Sequence, residues 1–119
     1  MAEYLQVRRT IFDAQLIADT EKPFIKQNAQ LEICDSYLFI KFNWSKNKKI
    51  AYKDIYAWSS NIDNPYKWGL KYYSRKWTKH ERVISFMLKD KTSEELSEQI
   101  HAHCLAIKQL QDEKENDIE

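Results

Sequence analysis

Leu38-Phe39-Ile40-Lys41-Phe42-Asn43-Trp44-Ser45-Lys46-Asn47-Lys48-Lys49-Ile50-Ala51-Tyr52 decides the fold. Leu38, Ile40, Phe42 and Trp44 recur every second residue, with Lys41 and Asn43 between them. That period belongs to a strand with one buried face. Ser45, Lys46, Asn47 and Lys48 are polar and read as a turn, and the next strand begins at Lys49 or Ile50. Two strands joined by so short a polar link form an antiparallel hairpin.

The same texture extends in both directions. Gln30-Leu31-Glu32-Ile33 alternates before an Asp35-Ser36 turn, and Ile55, Ala57 and Trp58 resume after Lys53-Asp54. Residues 59–67 hold Asn61, Asp63, Asn64 and Pro65, a loop composition. Trp68, Leu70 and Tyr72 alternate with Gly69, Lys71 and Tyr73, and Ile84, Phe86 and Leu88 mark a last strand. Thr92 with Glu95 three residues later is a capping box. Leu96, Ile100, Cys104, Ile107 and Leu110 then form a helical stripe. Residues 112–119 are expected to be an acidic, disordered tail. Residues 1–23 read as an N-terminal extension. Leu5, Phe12 and Leu16 favour a short helix there, although Thr10-Ile11-Phe12 also suits a strand. Pro23 ends that segment.

The expected class is therefore α+β: a bent antiparallel sheet or small β-barrel of five to seven strands, capped by one C-terminal amphipathic helix. Consecutive strands with short connections exclude βαβ units. A chain of 119 residues fits a single domain.

Composition excludes several activities. The one glycine, Gly69, cannot build a phosphate-cradling loop, which needs several. Cys34 and Cys104 stand far apart and match no metal spacing; buried free thiols are the expectation, a disulfide the lesser one. His101 and His103 lie two apart on a helix and cannot share a metal as an i, i+4 pair does. No serine or cysteine sits in a nucleophile turn. A non-enzyme without cofactor or metal is expected. Met1-Ala2-Glu3 opens no apolar run, and Ala2 is incompatible with N-myristoylation. A cytoplasmic location is expected, with peripheral attachment to a membrane or cytoskeletal structure as a variant.

Charge is uneven. Residues 1–40 carry 4 basic and 6 acidic side chains, 41–91 carry 13 and 4, and 92–119 carry 2 and 8. The basic centre interleaves Trp68, Tyr72, Tyr73 and Trp77 with Lys71, Arg75, Lys76 and Lys79. Lys46, Lys48 and Lys49 add a second basic loop. The candidate binding residues are Lys46, Lys48, Lys49, Lys71, Tyr73, Arg75, Lys76, Trp77 and Lys79. Tryptophan and arginine serve as anchors for another protein. Cations with an interfacial tryptophan suit an anionic membrane, and aromatics with cations suit single-stranded nucleic acid. An ordinary solvated edge accounts for the cations equally well, and strand alternation buries half the aromatics. A protein partner is the leading reading, a membrane surface the second. Nucleic acid is the weakest, because net charge is only +1.

The element order resembles the pleckstrin-homology-like superfold over about residues 24–111, carried by 37–58 followed by 83–110. That resemblance implies a helix-capped barrel and a role in binding lipid, phosphotyrosine peptide or polyproline. Lipid-binding members carry a tryptophan in the last helix; here Leu96, Ile100, Cys104 or Ile107 would take its place. Their Arg-x-Arg pattern on the first strands is absent, since Lys22 and Lys26 are followed by Glu32 and Asp35, and Arg8-Arg9 is adjacent. In other members a peptide lies between the helix and a neighbouring strand, which here would contain Trp58 and Ser59.

Overall fold

Every strand pair joins antiparallel neighbours, and the first and last strands meet in the middle. The computed structural model describes residues 10–20, 26–60, 63–74 and 80–117. The strands are β1 Ile11–Asp19, β2 Asn28–Ile33, β3 Tyr37–Phe42, β4 Lys48–Ala51, β5 Ile55–Ser60, β6 Lys67–Ser74 and β7 His80–Leu88. Their order in the single sheet is β4-β3-β2-β1-β7-β6-β5. Two meanders, β1–β4 and β5–β7, are thus welded along β1 and β7. Helix α1, Ser93–Asp117, follows the last strand.

The expected α+β class holds, but the sheet is open. β4 and β5 are its two edges, and a 3-10 turn, Tyr52–Asp54, joins them where a closed barrel would pair them. α1 packs on β5 and on that turn. Leu96 and Ile100 are fully buried by this docking, worth roughly 1.5–3 kcal/mol each. Cys104 and Ile107 are only partly covered, and Leu110 is 56% exposed, so the stripe docks by its first half. The helix continues to Asp117, beyond the Gln111 at which a disordered tail was expected. Its start is as expected: Thr92 Oγ1 accepts the Glu95 N–H at 3.3 Å. No helix among the described residues is long and apolar enough to cross a membrane.

Residues 11–19 correct the helical expectation, because β1 runs through the centre of the sheet. Phe12 and Leu16 share a face in either geometry, being four apart. Ala14 decides: at 0% exposure it lies on the same inner face, as period two requires. Pairing on both sides then outweighs local helical preference. A shift in register between Leu16 and Ala18 lets Asp19 face inward opposite Ile84.

Trp44 is a second correction. β3 stops at Phe42, and Trp44 is 78% exposed instead of joining Leu38, Ile40 and Phe42 inside. The buried Gln27 side chain accepts the Trp44 and Ser45 N–H groups at 2.7 and 3.0 Å and turns the chain away.

Candidate functional site

Among the described residues β5 has a strand partner on one side only, β6. Its other side faces α1 across a groove of about 550 Å³. Two attachments fix the helix there. Ser97 Oγ accepts from Trp68 Nε1 at 3.0 Å and bonds Ser60 Oγ at 3.1 Å. Further along, Cys104 Sγ reaches the Tyr52 carbonyl at 3.7 Å. Tyr52 is held in turn by its hydroxyl, which donates to the Cys34 carbonyl at 2.7 Å.

The groove's walls follow from strand and helix periods. β5 contributes Ile55, Tyr56 and Trp58; one turn apart, α1 contributes His101, Leu105 and Lys108. Trp58 is half-buried with His101 tilted against it, ring centres 5.8 Å apart. Leu105 is 46% exposed, an apolar residue outside the docked stripe. Tyr56 stacks on Tyr73 at 4.5 Å, and its hydroxyl is pushed up to about 12 by desolvation and by a hydrogen bond to Glu81. Among the described residues the charged lining is cationic, Lys53 and Lys108, with no carboxylate.

The remaining titratable groups here are committed to structure. His103 Nδ1 donates to the Gln99 carbonyl at 2.9 Å, and its ring sits 4.9 Å from that of Tyr52. Burial pushes the Cys104 thiol up, away from the thiolate. Burial likewise raises the Tyr52 phenol well above its ordinary value. Cys34 is buried, and both cysteines are free thiols.

The basic-aromatic residues divide sharply. Trp68 and Tyr72 are core, at 1% and 4% exposure. Lys71 points outward from β6, and Tyr73 is taken up by Tyr56. Arg75, Lys76, Trp77 and Lys79 lie outside the described residues. Lys46 is exposed in the β3–β4 turn, and Lys49 lies over the Tyr37 ring at 4.9 Å. Lys48 differs from a surface cation: it turns inside, 3.2 Å from Asp19 Oδ2 and 3.0 Å from the Tyr72 hydroxyl. Sequence reasoning reached the strand around Trp58 but missed Tyr56, His101 and Leu105. An apolar Leu105 one residue beyond the Cys104 stripe position was the available signal.

No protein-family model matches the chain, and no curated protein matches it.

Proposed function

We propose that this chain is a pleckstrin-homology-like interaction module that captures an extended segment of another protein along the open edge of β5. The observation that carries this reading is a strand edge, unpaired among the described residues, lying beside a groove that sets Ile55, Trp58 and Leu105 among polar and cationic side chains. An edge strand presents N–H and C=O groups ready for another chain, and folds usually blunt such edges. Here α1 stands back far enough to leave a groove, rather than sealing it. An added strand would take main-chain hydrogen bonds from β5, while one of its apolar side chains would settle between Trp58 and Leu105. Lys53 and Lys108 favour carboxylates beside that anchor.

The expected affinity is modest. A few main-chain bonds at about 1 kcal/mol each and one buried side chain at roughly 2 kcal/mol are set against a large association cost. Micromolar binding is therefore the natural range. The strand order, with a terminal helix at the β4–β5 gap, supports the superfold reading.

Selection of random displayed peptides on the folded protein tests the proposal. Peptides rich in one large apolar residue flanked by acids, with binding abolished by Leu105→Glu, are expected. Peptides insensitive to Leu105→Glu would refute the site.

A further inference from the structure

Helix α1 outruns its own docking. The stripe Leu96, Ile100, Cys104, Ile107 and Leu110 loses cover as it goes: the first two are fully buried, the next two partly, and Leu110 is 56% exposed. After Ile107 the described side chains Lys108, Gln109 and Leu110 are all exposed, yet α1 continues to Asp117. That extension adds roughly 15 Å of helix beyond the last covered residue. Helices in proteins owe most of their stability to packing of an apolar face rather than to propensity. A stripe carried past the sheet therefore points to a surface that meets it.

On the β4 side of the helix, beside the uncovered end of the stripe, lies a depression of about 460 Å³. Tyr37, Ala51 and Ile107 give it an apolar lining, and Lys49 and Lys53 stand exposed at it. Asp54, half-buried, is its one carboxylate among the described residues. The charges of the two regions are complementary. Residues 112–117 carry four carboxylates and one lysine, while residues 41–53 carry five lysines and no carboxylate. Because α1 is one continuous helix, its acidic end runs on past Ile107 instead of folding back over Lys49 and Lys53.

We infer that this face is a self-association surface, at which a second copy of the chain docks about a two-fold axis. With the two α1 helices antiparallel and crossing near residues 107–110, Leu110 of each copy meets Ile107 of the other beside Tyr37 and Ala51. The acidic end of each helix then passes over the other copy's Lys49 and Lys53. A two-fold contact makes each complementary pair twice. A partner of different sequence would have to bring both an apolar anchor and an acidic flank, and this chain already carries both. The β5 groove is not needed for the contact, and Leu110, on which it turns, does not line that groove. A few helical turns make a small interface, so the dissociation constant should be on the order of 10 μM.

Sedimentation equilibrium from micromolar to near-millimolar protein tests the inference. The weight-average mass should rise from one chain towards two, and less steeply at high salt. Leu110→Asn should raise the dissociation constant about tenfold. Because Leu110 is exposed, that variant should keep the wild-type melting temperature, so lost association reads as lost contact. Charge exchange gives a second arm. Lys49→Glu/Lys53→Glu should be monomeric alone, and so should Asp112→Lys/Glu113→Lys/Glu115→Lys/Asp117→Lys. Mixed, the two should form a heterodimer, since each helix end then faces opposite charge again. Three results would overturn the inference: a single-chain mass at every concentration, association unchanged by Leu110→Asn, or no heterodimer on mixing.

Discussion

Lys48 Nζ lies 3.2 Å from Asp19 Oδ2, tying the edge strand β4 to β1 across two intervening strands. The side chains are 11% and 3% exposed, and the Tyr72 hydroxyl on β6 joins them at 3.0 Å. The pair holds the curl of an unclosed sheet from within. Removing one partner takes the opposite charge away from a largely buried ion, a change that costs about 3–5 kcal/mol. Asp19→Asn or Lys48→Met should therefore lower urea-unfolding stability by about 3 kcal/mol. The double variant Asp19→Leu/Lys48→Met should recover most of it, since an apolar pair of similar size carries no desolvation cost.

Gln27→Leu should cost about 2 kcal/mol. The Trp44 and Ser45 N–H groups lose their acceptor, although the turn's exposure lets water replace part of it. Trp44→Ala should cost less than about 0.5 kcal/mol, as for an exposed surface position. Thermal unfolding of the two variants checks the ranking.

Alkaline pH should weaken the fold. Burial raises both the Tyr52 phenol and the Cys104 thiol above their ordinary values of 10.0 and 9.0. The unfolded chain therefore releases these protons first, and stability falls as pH climbs past about 9 and again past about 10. Below those values the effect vanishes. Tyr52→Phe should lose about 1 kcal/mol at neutral pH with the Cys34 carbonyl bond, yet show a shallower alkaline decline. Unfolding free energies measured from pH 7 to 10.5 would show both.

Gly69→Ala should be tolerated. A Cβ there would approach Ser59 Oγ at 3.2 Å and Ser85 Oγ at 3.5 Å. Gly69 has no positive φ, and Ser59 is exposed and free to rotate. Relief of glycine's entropic cost, about 0.5–1 kcal/mol, should offset the crowding. A melting temperature within a few degrees of wild type is expected; collapse of the fold would mean that Ser59 cannot yield.

Local signals carried the hairpin around 38–50 and the helix start at Thr92, where period and cap lie within a few residues. They failed where the deciding partner is distant in sequence. Phe12 and Leu16 satisfy helix and strand alike, and only β2 and β7 settle the choice. Trp44 continues the alternation of Leu38, Ile40 and Phe42, but Gln27, 17 residues earlier, ends the strand. Lys48 sits in a run of lysines, yet its register opposite inward-facing Ile40 sends it to Asp19. Half of the groove was legible as the strand around Trp58. The other wall was not, because Leu105 becomes a groove residue only through the docking angle of α1.

Amide hydrogen exchange along Ile55–Ser60, with and without a selected peptide, tests the central claim most directly. The β5 N–H groups that face away from β6 should exchange quickly in the free protein and become protected when the peptide binds. Leu105→Glu should abolish that protection while leaving the amides of β1 and β7 unchanged. A peptide that binds without altering β5 exchange would contradict capture at this edge.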